Sequence, residues 1–136
     1  MPAIETFALE KIYSVGFWKK KPKQALYPLT LAVEEGEVFG YLGPNGAGKT
    51  TTLKLLMSLM YPTHGSAKIL GRDLQDPIMK SQIGFLPEQP YFYDHLTGVE
   101  LLDFFGRLFG LDDKLRQRRV HELMDLVGLK NDKQKQ

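Results

Sequence analysis

Eight residues carry the clearest chemistry in this chain: Gly43-Pro44-Asn45-Gly46-Ala47-Gly48-Lys49-Thr50 fit the pattern G-x-x-x-x-G-K-[ST] without a mismatch. Glycines let the backbone turn tightly at positive φ, so successive N–H groups can converge on phosphate oxygens instead of hiding behind Cβ atoms. Lys49 supplies a mobile charge for β- and γ-phosphates, and the Thr50 hydroxyl is small enough to sit on a Mg²⁺ that bridges them. Thr51 falls one residue further into a first helical turn, where free N–H groups and the helix dipole also favour an anion. The implied ligand is a nucleoside triphosphate with Mg²⁺, held by Asn45, Gly46, Ala47, Gly48, Lys49, Thr50 and Thr51.

The flanks of this loop argue against an accidental glycine-rich turn. Val38-Phe39-Gly40-Tyr41-Leu42 before it is an apolar run of strand character, and Leu53, Leu55, Leu56, Leu59 and Met60 after it suit a buried helix. Strand, loop and helix in that order are the context of a P-loop. Upstream, Ile4 to Leu9, running on to Ile12 and Tyr13, reads as a strand and Ala25 to Val33 as a second. With no helix between them they predict an antiparallel pair, and Glu34-Glu35-Gly36-Glu37 reads as the turn that follows.

Downstream, Tyr61-Pro62-Thr63-His64-Gly65 stops the helix, Ser66 to Leu70 reads as a strand and Gly71-Arg72-Asp73 as a turn. Ile83-Gly84-Phe85-Leu86 is another short strand, broken by Pro87-Glu88-Gln89-Pro90. Thr97 and Glu100 have capping-box spacing. They open a helix whose Leu101, Leu102, Phe104, Phe105, Leu108 and Phe109 cover two faces, which predicts burial or an interface, and Gly110 ends it. Asp113 to Val127 reads as a surface helix with Val120, Leu123, Met124 and Val127 on one side, Arg116, Arg118, Arg119 and Glu122 elsewhere, and Gly128 closing it.

Other side chains extend the candidate site. Tyr13 offers a face on which an adenine ring can stack; for Phe17 and Trp18, stacking and packing against the sheet stay equally open. Glu88 and Gln89 follow a strand at the carboxyl end of an α/β site, where residues face the γ-phosphate, and are candidates for ordering Mg²⁺ or a water. His64 stands alone in a turn and reads as a surface residue. The aromatic stretch Tyr91 to Leu96 suggests a partner surface.

Composition bounds the rest. One domain with a sizeable core fits 136 residues, of which 43% are hydrophobic and 25% charged. A net charge of +2 gives no reason to expect nucleic acid as a partner. The run Lys19-Lys20-Lys21-Pro22-Lys23 reads as a solvated loop rather than an anion or membrane patch. Without cysteine there is neither a disulfide framework nor a thiolate metal site. No apolar run approaches the ~18 residues that span a bilayer.

Taken together, Glu37 to Thr51, Pro62-Thr63-His64-Gly65, and Ile83 to Glu88 followed by Leu96-Thr97 and Glu100 resemble the nucleotide-binding domain of ABC transporters over essentially the whole chain. The resemblance implies an α/β fold: a partial P-loop NTPase-type core of parallel strands with helices, an N-terminal antiparallel β subdomain and a C-terminal helical segment. The expected organisation is a single partial domain, with residues 1–35 the antiparallel part, 36–90 the P-loop core, 91–130 the start of a helical subdomain and 131–136 a frayed tail. By position, Tyr13 matches the adenine-stacking aromatic, Lys49 the phosphate lysine, Thr50 the Mg²⁺ ligand and Thr51 an α-phosphate contact. Glu88 falls where most members carry the Q-loop glutamine and is taken as that residue and a second metal ligand, with Gln89 as the alternative. A carboxylate there resembles exporters; it would hold Mg²⁺ more strongly than an amide but repel the γ-phosphate.

The family's signature segment, its Walker B strand ending in Asp-Glu and its switch histidine are not found in these residues. The resemblance therefore implies Mg-ATP binding without the groups for hydrolysis by this chain alone. The implied partners are a membrane-spanning subunit and a second ATP-binding domain, at the cytoplasmic face of a membrane. With no Walker B strand beside the P-loop strand, the chain is also expected to self-associate by dimerisation or swapping. The alternative is a non-catalytic nucleotide-binding or docking module; a P-loop kinase or GTPase lacks support, since no Asn-Lys-x-Asp guanine signature is present.

Overall fold

Alternating β-branched and aromatic residues near the N-terminus form a long hairpin. Its strands β1 (Pro2–Val15) and β2 (Lys21–Glu34) pair antiparallel from Pro2 opposite Glu34 to Val15 opposite Lys21. The antiparallel pair expected from the sequence is thus present and longer, so Lys21 and Lys23 lie in a strand rather than in the loop. The structure, a computed structural model, describes residues 1–88, 93 and 95–129, and the chain divides into two compact units, Met1–Phe85 and Leu86–Gln136.

In the first unit the sheet order is β2-β1-β3-β4, with β3 (His64–Ile69) antiparallel to β1 and a two-residue β4 (Arg72–Asp73) beside it. Strand β1 carries one extra residue: Thr6 faces Leu31 but Leu9 faces Leu29, and on the other edge Phe7 faces Ser66 but Glu10 faces His64. This bulge shifts the two-residue parity so that Thr6 and Leu9, three apart, both point into the core. Ala8 takes the left-handed conformation there, φ 45°, and its N–H is satisfied by the Thr30 hydroxyl at 2.9 Å. Gly65 packs directly on it, since a Cβ at Gly65 would lie 2.1 Å from the Ala8 carbonyl oxygen.

Helix α1 (Lys49–Leu56) covers the sheet and completes a core of Leu9, Leu26, Leu55, Ala67, Ile69, Leu74 and Met79, the last from the short helix α2 (Pro77–Ser81). The helix is shorter than its apolar pattern predicts. Ser58 enters the left-handed region at φ 53°, its N–H bonds the Leu55 carbonyl and the Leu59 N–H reaches back to Lys54, which closes the helix in a Schellman motif. Leu53 and Leu59 are therefore exposed, and only Leu55 is fully buried.

The expected strands 38–42 and 83–86 have no ladder partner among the described residues and form no strand. The described sheet is wholly antiparallel and no parallel pair is hydrogen-bonded among the described residues, while the expected α/β class, with its N-terminal antiparallel sheet and C-terminal helices, is observed. A strand needs a neighbour for its N–H and C=O groups. Here Val38 and Leu42 stay exposed, and two apolar hollows of about 340 and 360 Å³ lie along α1, one against Ile83 to Phe85 and one against Phe39 and Tyr41.

In the second unit α3 (Gly98–Leu108) and α4 (Asp113–Leu126) form a helical pair. Thr97 and Glu100 form both bonds of the capping box, and Gly110 and Gly128 end the helices at positive φ, as their spacing predicts. One expectation fails. Arg116 is not on the outer face but buried in line with Val120 and Met124, while Leu123 and Val127 are exposed. Of the two readings of the apolar faces of α3, burial is not met among the described residues, where Phe104, Phe105, Leu108 and Phe109 remain exposed, and an interface stays open.

Candidate functional site

The candidate loop connects residues that lack strand pairing to the first turn of α1. A 3.2 Å bond from the Ala47 N–H to the Pro44 carbonyl closes its leading turn, and Gly46 and Gly48 hold φ +85° and +92°. Only Gly48 is also sterically required, because a Cβ there would meet the Ala25 carbonyl oxygen at 2.7 Å and a Leu26 methyl at 3.2 Å. Strand β2 is thus the floor on which the loop rests. That contact was not legible in the sequence, which gives the glycine but not what lies beneath it.

Helix α1 begins at Lys49 with Gly48 as its cap, no side-chain cap bond and no acidic residue in its first turn. Its hydrogen-bond ladder starts with the Thr52 N–H donating to the Gly48 carbonyl at 2.8 Å, so the N–H groups of Lys49, Thr50 and Thr51 precede it. These donors and the positive end of the dipole make a site for an anion. The Lys49 ammonium folds back over the loop, donating to the Gly43 carbonyl at 2.5 Å and the Pro44 carbonyl at 2.8 Å. It braces the loop and stands where an incoming phosphate would compete for it.

The three threonines divide their roles. Thr50 is exposed and Thr51 half-buried, while Thr52 is buried, its hydroxyl bonding the Gly48 carbonyl at 3.1 Å and lying 3.2 Å from the Tyr41 hydroxyl. Tyr41 and Thr52 fasten the end of the loop and were not singled out by sequence. The signal was present in the back-bonding habit of threonine inside a helix. The exposed Thr50 hydroxyl beside Lys49 fits one Mg²⁺ ligand, being a neutral oxygen of the kind this hard cation takes.

Tyr13 lies on β1 opposite Lys23, two residues along β2 from the Ala25 that underlies Gly48. The residue is 36% exposed, its hydroxyl lies 3.3 Å from the Met60 sulfur, and the Lys11 ammonium sits 5.5 Å from the ring centroid. Lys11 also donates to the Tyr61 carbonyl at 2.6 Å, which fixes it there. Phe17 and Trp18 do not pack on the sheet; both are over 90% exposed. Asn45, Gly46 and Ala47 are exposed in the loop, and His64 is exposed at the start of β3. Glu88 is exposed in the second unit, and Gln89 lies outside the described residues, as do Tyr91, Phe92 and Asp94 of the aromatic stretch.

Known proteins match this arrangement. The sequence pattern of the ABC transporter family matches residues 26–136. An ABC transporter ATP-binding protein of Synechocystis, itself uncharacterised, is 48% identical over 126 residues, or 93% of this chain and 36% of that protein. The Nod factor export ATP-binding protein I of Cupriavidus pinatubonensis is 40% identical over 105 residues, covering 76% of this chain and 32% of its own length. A solved ATP-binding cassette, a post-hydrolysis dimer bound to ADP and Pi, superposes with a TM-score of 0.74 at 25% identity, covering 90% of this chain and 56% of that one. The chain spans about a third of the length of these curated relatives.

Proposed function

The chain belongs to the ABC transporter family, and from that premise we propose that it binds Mg-ATP as part of an ATP-binding subunit that powers membrane transport in the export direction. The observation that carries the reading is the α1 N-terminus, where a complete P-loop sequence coincides with first-turn N–H groups that no side chain caps. Lys49 and the N–H groups of Gly46, Gly48, Thr50 and Thr51 take the phosphates, and the Thr50 hydroxyl takes the metal; Glu88 is assigned to the metal on the family resemblance alone. Tyr13 stacks on the adenine. Bound Mg²⁺ supplies charge neutralisation between β- and γ-phosphates; the loop's own contribution is to hold and orient them. The export direction is supported by the carboxylate at Glu88 and by the named role of the Cupriavidus relative.

Partners follow from the same family: a membrane-spanning subunit and a second ATP-binding domain, the latter supported by the dimeric state of the solved cassette. Exposed Phe105, Leu108 and Phe109 on α3 support docking, and Val38 and Leu42 support self-association of the 136-residue chain. The chain works peripherally at the cytoplasmic face of a membrane. Among the described residues no helix is long and apolar enough to cross one.

Calorimetric titration with Mg-ATP, with GTP as competitor and with phosphate release followed in parallel, tests the reading. The expected outcome is saturable Mg-ATP binding that GTP displaces weakly, without turnover by these residues alone. No heat of binding would sink the proposal, and measurable turnover would overturn its non-hydrolysing part.

A further inference from the structure

The tip of the β1–β2 hairpin, Gly16 to Lys20, is not used by the nucleotide site. It presents two large aromatic rings to solvent, Phe17 93% and Trp18 91% exposed, packed edge to face on each other at 6.1 Å and on no other ring of the described residues. Beside them Lys19, Lys20, Lys21 and Lys23 are all exposed. None of the four forms an ion pair with a described residue. The chain from Lys11 to Val33 contains no acidic residue, so positive charge concentrates here although the whole carries only +2.

The turn is built to hold this shape. Gly16 has φ +122° and a Cβ there would meet the Lys19 carbonyl oxygen at 2.4 Å, so the chain folds back immediately before the rings. The strand register on either side, Val15 opposite Lys21, keeps rings and ammonium groups at one end of the sheet.

From this juxtaposition we infer that the hairpin tip is a direct anchor for an anionic lipid bilayer, with Phe17 and Trp18 in the interfacial layer and the four lysines on the headgroups. The Trp18 indole, an aromatic ring with a polar N–H edge, settles at headgroup depth, and the wholly apolar Phe17 ring beside it adds area that gains by leaving water. Each lysine near an anionic surface strengthens attachment about five-fold. An acidic protein or a nucleic acid would satisfy the lysines, but neither accounts as well for two neighbouring exposed rings, set edge to face on one another, at the extreme tip. The site differs from a P-loop or a subunit interface, and the sequence reading of the lysine run as a plain solvated loop is revised by the exposure of the rings beside it.

Trp18 is the only tryptophan of the chain, so its emission reports the contact directly. The full chain, without nucleotide, is titrated with vesicles of phosphatidylcholine containing about 30% phosphatidylglycerol, an anionic surface of the kind lysines seek, and with pure phosphatidylcholine. The expected result is co-sedimentation and a blue shift with the anionic vesicles only, both weakened at high salt, with Trp18 quenched by brominated acyl chains. Changing Lys19, Lys20, Lys21 and Lys23 together to Gln lowers the partition coefficient at least 100-fold. The pair Phe17→Ser and Trp18→Ser, checked for an unchanged thermal midpoint, weakens it with the charge intact. Co-sedimentation with unshifted, unquenched Trp18 would assign binding to another surface, and a shift produced by single-stranded oligonucleotide but not by vesicles would assign it to nucleic acid. Either result, or no binding, overturns the inference. Quenching needs no variant, and Mg-ATP binding is measured separately, so failure here is distinct from failure of the transport reading.

Discussion

The four helices of the described residues begin in two different ways. Helices α2, α3 and α4 satisfy their first-turn N–H groups with their own side chains: Asp76 accepts from Ile78, Thr97 from Glu100 and Asp112 from Leu115. Helix α1 begins at Gly48 with no side-chain acceptor at all. A cap is worth roughly 1 kcal/mol to a helix, so the bare start of α1 forgoes stability that the other three obtain. What it gains is an N-terminus open to an external anion. The same contrast runs through the two lysine and arginine anchors. Lys49 holds two neutral carbonyls that a phosphate can replace, whereas Arg116 is committed to Asp103 at 2.5 Å, Asp113 at 2.8 Å and the Leu111 carbonyl at 3.2 Å.

Glycine substitutions sharpen this comparison most. Gly48→Ala places a methyl group against backbone at positive φ and should cost about 2–4 kcal/mol, with Mg-ATP binding lost; denaturant unfolding and calorimetry measure the two effects. Lys49→Ala comes next. Removing charge-assisted contacts to phosphate should weaken Mg-ATP binding about 100-fold, while hydrogen exchange in α3 and α4 stays at wild-type rates.

In the helical pair the expected effects are smaller and confined to stability. Gly106→Ala would press on the Arg116 stem, 2.7 Å from its Cγ. That stem can give way, so after the helix-propensity gain the net loss should be about 1 kcal/mol. Thr97→Ala removes a cap and should cost about 1 kcal/mol with nucleotide affinity unchanged. Equal losses of nucleotide affinity at Thr97 and Lys49 would break the distinction between the two kinds of helix start.

Acid gives the mildest test. The Arg116 hydrogen bond, then that of Arg107, holds the Asp103 carboxyl below its usual 3.8, and bonds from the Thr97 backbone and hydroxyl hold Glu100 below 4.5. Both groups are depressed in the folded state, so they stabilise it fully above the unfolded values and lose that contribution as pH falls through the folded ones. Exchange of α3 and α4 amides, corrected for intrinsic rate, should quicken as pH drops below about 4. The start of α1 has no carboxylate to titrate and should show no matching change.

Legibility in the sequence followed the range of the interaction. The loop from Gly43 to Thr50, the capping box of Thr97 and Glu100, and the stops at Gly110 and Gly128 were all readable, because each depends on residues within about one helical turn. The hairpin was readable from alternation, although its bulge was not: Ala8 is held at φ 45° by Thr30 from β2 and Gly65 from β3. Among the proposed site residues, the P-loop set came together in one loop because it is contiguous, whereas Tyr13 reaches its neighbourhood only through its register on β2.

By itself, then, the amino-acid order determined the glycine-rich loop, the helix that follows it and the ends of the later helices, since backbone donors and glycine torsions are set locally. Tertiary structure alone decided that Gly48 rests on Ala25, that Arg116 turns inward while the rings of α3 remain outside, and that segments 38–42 and 83–86 are unpaired. Burial of a charged side chain depends on acceptors elsewhere in the chain, and a strand exists only where a neighbour takes its hydrogen bonds.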